Sequence, residues 1–366
     1  MSEEGTTLVI DIGSLYTKAG RGGEGKPLNF YQSFVNRIYN KKFYGEAVWR
    51  PDLEQTRPIE RGKLLSTGAI YDILHKELDD PIFNGEARTV LIAESNLFSV
   101  DHQHILAKEV LLFMELDRVC FVNQGVLSLL ASGRSTGIAV EIGDGVTQIV
   151  PVYEGCPIRH AMETQNFGGK DITEFLNSSL FREERHEFVS VPSHSVIRRI
   201  KEEKCYVALD FEEKSSKSSS SEKISYELPD KTYIDLAEKP LFTCPEALFQ
   251  PSLFNRGDFL GVHELCHKAI KKCDPSLHKE LYENIIVSGG STMFKGFTER
   301  MEKEMKMLAS STGRASYVKV IEAPKREYSA WLGGSILSSN PAFDAMCLTR
   351  EEYDEEGWRS IKGRFI

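Results

Sequence analysis

What the sequence lacks narrows its class before any motif is considered. Only seven of 366 residues are cysteine, an odd number, and no two are spaced Cys-x-x-Cys. A chain this long needs no disulfide staples, so reduced thiols in the cytosol or nucleus are expected. No run of 18 apolar residues occurs, so no membrane-spanning helix is expected. The opening Met1-Ser-Glu-Glu-Gly5 has neither a basic region nor an apolar run. No secretory signal is therefore expected, and the glycosylation pattern Asn177-Ser-Ser179 carries no weight. No G-x-x-x-x-G-K-[ST] occurs, which excludes a P-loop. Basic charge is in deficit: 45 Lys+Arg against 54 Asp+Glu leave a net charge of −9, which argues against general nucleic-acid binding. With 41% hydrophobic and 27% charged residues, the chain is too apolar for disorder. Its length implies about two to three domains.

Two short β-branched runs stand out. Leu8-Val-Ile-Asp-Ile-Gly-Ser14 and Ile138-Ala-Val-Glu-Ile-Gly-Asp-Gly145 each read as a buried strand entering a turn. Aligned on Asp11 and Glu141, both give a strand, a carboxylate at its end, Ile, Gly and a small polar residue, as two related domains facing one another would. Between and beyond them the pattern is helical. Asp101 can cap a helix bearing Ile105, Leu106, Val110, Phe113 and Met114. Val119–Val122 reads as a strand, and Gly125–Ala131 as a short helix ended by Gly133. Phe297, Met301, Met305 and Leu308 share one face of a later helix, a core stripe. Strands alternating with helices make this an α/β protein. The low-complexity stretch Lys214–Lys223 is expected to be a solvated loop within a domain.

Several motifs lose to plainer readings. Gly20, Gly22 and Gly25 match G-x-G-x-x-G, but Lys26-Pro27 follows without helical periodicity, so a glycine-rich turn is expected. His263-Glu-Leu-Cys-His267 matches the zinc-protease helix, with Glu283 as a third ligand, yet its surroundings read as an ordinary packed helix. The paired carboxylate turns carry more. A tight Gly turn after a strand aims backbone N–H groups at one point, a nest for phosphate oxygens. Asp11 can hold water on a Mg²⁺ bridging such oxygens, and Lys18 can neutralise phosphate charge. Glu141 and Asp144 supply the facing half, so two such turns could clamp a polyphosphate. Two further Gly pairs, Gly289-Gly290 after Ile285–Ser288 and Gly333-Gly334 after Trp331-Leu332, bring backbone close either to a ligand or to a packed neighbour.

In this order the residues resemble actin nearly end to end. Asp11–Gly20 resembles the first phosphate hairpin. Gln124–Leu129 with Ala131-Ser-Gly-Arg134 resembles the catalytic-glutamine helix. Gly143–Thr147 with Val152-Tyr-Glu-Gly155 resembles the second hairpin, and Ile200–Glu212 the adenosine-side helix. Tyr226–Asp230, Cys244-Pro-Glu246, Leu248–Ser252, Ser288–Met293, Trp331–Leu337 and Glu352-Tyr-Asp354 continue the likeness. The resemblance implies an actin-like ATPase fold (ribonuclease H-like), with two facing duplicated domains and a central nucleotide cleft. The implied subdomain 1 comprises 1–32, 58–131 and 329–366, subdomain 2 is 33–57, subdomain 3 is 132–167 and 257–328, and subdomain 4 is 168–256.

The resemblance also implies roles. Asp11 would anchor a Mg²⁺ through water, with Gln124 and Glu141 catalytic and Gln124 orienting the attacking water. Ser14, Leu15, Lys18, Asp144, Gly145 and Val146 would meet the phosphates. Gly169, Arg198, Lys201, Glu202, Gly290, Met293 and Phe294 would line the nucleoside. Leu332, Ile336, Leu337 and Met346 would form an apolar cleft for actin-binding proteins, with Asn340 a polar exception. ATP/ADP and Mg²⁺ are the implied cofactors, with itself or other actins as filament partners, no nucleic acid or membrane partner, and a cytoplasmic, cytoskeletal location that leaves the nucleus open.

The departures from the family pattern predict altered chemistry. Glu141 stands where the family has Asp, Gln148 where it has a histidine, Leu15 where it has a glycine, and Glu327 where a lysine flanks the adenine. ATP binding with slow, altered hydrolysis is the expectation. Subdomain 2, from Val35 to Ala47, is shorter than in actin, and the plug-like Leu253–Asp258 carries Arg256 and Asp258. Weakened longitudinal contacts follow, leaving two alternatives: a nucleotide-regulated filament subunit, or a non-polymerising actin-related scaffold of a larger cytoskeletal or chromatin complex.

Overall fold

A computed structural model describes residues 6–38, 41–45, 56–83, 85–180, 193–218, 223–254, 257–323 and 325–364. Its two large sheets share one plan. The first runs Leu348–Thr349, Arg118–Asn123, Ala87–Glu94, Thr6–Ile12, Tyr16–Arg21, Asn29–Gln32 in spatial order. The second runs Cys156–Pro157, Thr147–Tyr153, Gly137–Ile142, Ile285–Ser288, Val320–Glu322, with Glu163–Gln165 added on Thr147–Tyr153. In each sheet a central strand, Thr6–Ile12 or Gly137–Ile142, pairs antiparallel with the strand that follows it and parallel with a later one. Both central strands are buried almost throughout, as strands inside a sheet covered on both faces are.

The registers of the two hairpins match residue for residue. Asp11 lies opposite Lys18 and Ile12 opposite Thr17; Glu141 lies opposite Gln148 and Ile142 opposite Thr147. Gly13 N donates to Tyr16 O at 2.9 Å, and Gly143 N to Val146 O at 3.0 Å, closing equivalent turns. Each sheet has its own core. One gathers Leu8, Ile10, Ile73, Phe121 and Trp331, the other Ile138, Val140, Phe167, Leu265 and Phe297.

The helix Gln124–Ala131 joins the halves. Asn123 caps it, its Oδ1 accepting from Gly125 N at 2.9 Å, and Gly133 ends it in the left-handed region at φ +73°. It packs on Ser329–Ser338 so closely that a Cβ on Gly333 would sit 1.9 Å from Leu127 O. Gly333-Gly334 therefore lies inside a helix and serves helix–helix contact; no strand precedes it. Gly289 keeps the expected strand–turn place after Ile285–Ser288, at φ +91° with Ile142 O 2.4 Å from an added Cβ.

Other expectations shift locally. The cap of Val100–Lys108 is Ser99, whose hydroxyl accepts from His102 N while His102 Nδ1 accepts from Ser99 N; Asp101 instead sits in the first turn. Part of the stretch expected to be a loop is helical: Phe211–Lys217 is capped by Asp210, whose Oδ1 accepts from Glu213 N at 3.0 Å, and stiffened by the Glu213–Lys217 ion pair. The chain re-enters a strand at Lys223–Glu227, and 219–222 lie outside the described residues. Arg256 also lies outside them, as does part of Val35–Ala47. The stripe Phe297, Met301, Met305 is fully buried on Phe297–Ser310. In Val262–Lys272, Glu264 caps the helix by accepting from Gly261 N at 2.8 Å, and His267 is bonded to Tyr282 at 2.8 Å, which occupies two of the zinc-motif groups structurally. Among the described residues no helix is long and apolar enough to cross a membrane.

Candidate functional site between two hairpins

The ends of the two central strands converge on one cleft of about 460 Å³. Asp11, Ser14, Leu15, Lys18, Gln124, Glu141, Asp144, Gly145, Val146, Lys201, Glu202, Gly290, Met293 and Phe294 all line it. Gly169 and Arg198 do not. Gly169 lies behind the wall, where its carbonyl accepts from Lys201 Nζ at 2.9 Å. A Cβ there would reach Ser291 Oγ at 2.6 Å and Lys201 Nζ at 3.0 Å, so a glycine lets the lysine take its place. Arg198 turns toward the Tyr16 ring, 6.0 Å from its centroid, and pairs loosely with Glu202.

On the first hairpin the charge is balanced. Asp11 is buried, accepts from Lys18 Nζ at 2.8 Å on Oδ2 and from Gln124 Nε2 at 2.7 Å on Oδ1. On the second it is not. Glu141 Oε1 accepts from Ser128 at 2.7 Å, but its buried Oε2 has no hydrogen-bond partner among the described residues. Burial pushes its pKa up to about 7, with nearby Asp11 adding to the rise and the Ser128 bond and Lys18 opposing it. Burial likewise lowers the pKa of Lys201, against the pull of Asp144. Gln148 occupies the position matching Lys18. Its Oε1 accepts from Asn96 N at 2.7 Å and its Nε2 donates to Gln124 Oε1 at 3.4 Å. Gln124 is thus gripped at both ends of its amide, by Asp11 and Gln148.

A third element, missed by the sequence reading, touches both hairpins. It is the turn Arg61-Gly62 between the short strands Ile59–Glu60 and Lys63–Leu64. Gly62 N donates to Ser14 Oγ at 3.4 Å, and Ser95 Oγ donates to Gly62 O at 2.7 Å. Arg61 reaches Gly145 O and Asn166 O and makes a two-pronged pair with buried Asp171, both contacts at 2.9 Å. Lys170 adds a bond to Glu60 at 2.9 Å. Arg61 sits at φ +48°, unusual for a side chain with a Cβ, and Gly62 at +72°. No spacing or motif marks this turn in the sequence; only the contacts reveal it. Tyr16, Phe30, Ser95, Phe98 and Glu327 also line the cleft.

A family model for actin matches residues 2–366. The chain belongs to the actin family. The actin-like fold expected from the resemblance is therefore established, and the two equivalent sheets around one cleft are its visible form. Actin-family proteins generally bind a nucleotide with a divalent cation. The residues here fit such a pair. A buried acceptor without a partner, Glu141 Oε2, lies in the cleft wall beside the satisfied Asp11. Two lysines, Lys18 and Lys201, supply positive charge in an acidic chain. Two glycine turns approach so closely that a Cβ on Gly145 would sit 2.9 Å from Ser14 Oγ, while a Cβ on Gly290 would meet nothing within 4 Å and open onto the cleft.

Of the residues assigned to the actin-binding face, Ile336 and Met346 are exposed, whereas Leu332 and Leu337 are half-buried against the first core. Asn340 is exposed beside them, its Oδ1 accepting from Ala342 N.

Proposed function

We propose that this protein is an ATP-binding, actin-like cytoskeletal subunit that forms filaments and hydrolyses ATP slowly. The observation that carries the reading is the pair of register-matched hairpins facing a single cleft. The turns Gly13–Tyr16 and Gly143–Val146 would cradle phosphate oxygens through backbone N–H groups of Ser14, Leu15, Asp144 and Gly145. Lys18 and Lys201 offset phosphate charge. Mg²⁺, held through water by Asp11 with help from Gln124 and Glu141, would supply charge neutralisation at the phosphates. Gln124, gripped by Asp11 and Gln148, keeps one amide orientation and would align a water for attack. Glu141 and Gln148 slow that step. The extra methylene of Glu141 shifts its carboxylate by about an ångström, and displacements of that size cost on the order of a hundredfold in rate. Gln148 has no ionisable proton to share with the water. Met293, Phe294 and Gly290 would face the nucleoside, with Lys201 and Glu202 at its edge, and Gly169 and Arg198 act from behind.

Sedimentation of the purified protein with Mg-ATP and salt, alone and with ordinary actin, tests the assembly; pelleting alone is the expected result. Single-turnover phosphate release tests the chemistry. It is expected to be slower than in ordinary actin and to accelerate about a hundredfold in Glu141→Asp; a wild-type rate equal to that of actin would refute slow hydrolysis.

One observation favours a second reading, a non-polymerising actin-related scaffold of a larger cytoskeletal or chromatin complex. The Arg61–Asp171 and Lys170–Glu60 pairs tie the halves together across the cleft, as suits a rigid adaptor. The short 33–57 segment points the same way. No pelleting under any condition would select it.

A further inference from the structure

Two of the seven thiols meet in the first sheet, far apart in sequence. The strand Leu348–Thr349 pairs antiparallel with Arg118–Asn123, Leu348 opposite Val119 and Thr349 opposite Arg118. One step further along the same register sets Cys347 opposite Cys120. The bonding pattern tells which kind of pair this is. Arg350 N donates to Asp117 O at 2.9 Å, which makes 350 and 117 a hydrogen-bonded pair. Antiparallel pairs alternate, so 349/118 is non-bonded, 348/119 bonded and 347/120 non-bonded. The backbone of Cys347 agrees: its N donates to Asp344 O and its O accepts from Arg364, neither to Cys120. Non-bonded pairs bring Cα atoms to about 4.5 Å with their side chains closest, inside the range of about 4.4–6.8 Å that a disulfide spans. The two thiols are near enough for Cys347 to shift the Cys120 thiol, while Cys347 Sγ donates to Phe343 O at 3.4 Å. Both lie buried in the first core, and Cys120 Sγ also approaches Met346 O at 4.0 Å.

We propose that Cys120 and Cys347 form a reversible cross-strand dithiol–disulfide site, oxidised by low-molecular-weight disulfides. In the first step one cysteine thiolate attacks a sulfur of the small disulfide, its S–S bond breaks, and one small thiolate leaves. In the second, the other cysteine thiolate attacks the protein sulfur of this mixed disulfide and expels the second small thiolate. Two protein thiols are oxidised to one disulfide, the small disulfide is reduced to two thiols, and the two cysteine protons go to the leaving thiolates. Both groups are almost fully covered, and the Cys347 contact together with burial pushes the Cys120 thiol well above its ordinary range. Exchange is therefore slow, base-promoted and gated by opening of the short helix Phe343–Met346. The bond would join the strand that ends at Asn123, just before Gln124, to the residue following Met346. Redox state would thereby be coupled to both the cleft and the apolar face.

The full chain, folded and reduced, is incubated with glutathione disulfide at mildly alkaline pH; remaining thiols are alkylated and the digest is analysed by mass spectrometry without reductant. The exposed Cys156 is expected to react first, as a glutathione adduct. A peptide pair joined through Cys120 and Cys347, two hydrogens lighter than the separate peptides and released by dithiothreitol, is expected to follow in most molecules. In Cys347→Ala that pair disappears. The proposal is overturned if Cys120 and Cys347 stay unlinked in folded wild-type protein after Cys156 has been converted, or if they link only once the chain is unfolded. The wild-type arm decides, so the outcome does not depend on the variant folding.

Discussion

The hairpins on the two sides of the cleft share a backbone and differ in how their buried charge is met. Asp11 faces Lys18 across its ladder and also receives Gln124, so both carboxylate oxygens are paired. Glu141 faces Gln148, which turns away to Asn96 and Gln124, and among the described residues its side chain bonds only Ser128. The same register therefore yields a carboxylate with both oxygens paired on one side and, on the other, one that burial pushes up to about 7. Equivalence of main chain does not carry over to electrostatics, because the cross-strand neighbour sets the charge balance and that neighbour differs. If a nucleotide lies between them, the first hairpin is the preformed half, and the second is completed by what binds.

Substituting Lys18 should produce the largest effect. Lys18→Met leaves Asp11 buried without its cation, and breaking such a pair costs about 3 kcal/mol or more. The variant should lose thermal stability and bind ATP at least about a hundredfold more weakly, as read by melting curves and by displacement of a fluorescent nucleotide. Gln148→Met, at the matching position of the second hairpin, should change affinity far less; equal losses would remove the asymmetry.

Next in size is the strap that joins the hairpins. Arg61→Ala strips buried Asp171 of its two-pronged partner, while Gly168 N still donates to Oδ2 at 2.9 Å. The halves should part more readily, raising nucleotide exchange about tenfold, equivalent to about 1.4 kcal/mol. Stopped-flow release of a fluorescent ATP analogue measures this. An unchanged exchange rate would mean that the strap is ornamental to cleft opening.

The smallest effect is a pH slope. Glutamate ordinarily titrates near 4.5, and Glu141 in the folded chain near 7. Between these values the native state holds a proton that the unfolded state has released, so stability falls as pH rises from about 4.5 to 7, by up to about 3 kcal/mol. Glu94, also buried and pushed up to about 7, contributes with the same sign. Urea melts of nucleotide-free protein should therefore show Glu141→Gln with a less negative slope over this range than wild type. Glu94 contributes to the residual slope, and a variant matching wild type would place the orphan oxygen in contact with water.

Much of this was legible in the sequence. Two β-branched runs ending in a carboxylate, Ile and Gly predict the two equivalent hairpins, because strand burial and turn chemistry are local. The Gln124 helix, the methionine stripe and the glycine-rich turn at Gly22 were legible for the same reason. The Ser99 cap and the helix over Phe211–Lys217 were misread, since a Ser-x-x-His box and an Asp cap before a Ser/Lys-rich run give weak signals. Gly333-Gly334 could be read as ligand approach or close packing. Its place inside a helix depends on Leu127, which is remote in sequence.

By itself the sequence determined the family, the duplicated α/β plan and most of the residues that line the cleft, because those follow from patterns within ten or so neighbouring positions. Tertiary structure alone decided which partner each of those residues has. It brought Arg61 to Asp171 and Gly145, left Glu141 Oε2 without a donor, and set Cys347 beside Cys120. Each depends on sheet register or on the meeting of segments tens to hundreds of residues apart. The energy of such a pairing is fixed by burial and geometry at the point of contact, which local sequence pattern does not encode.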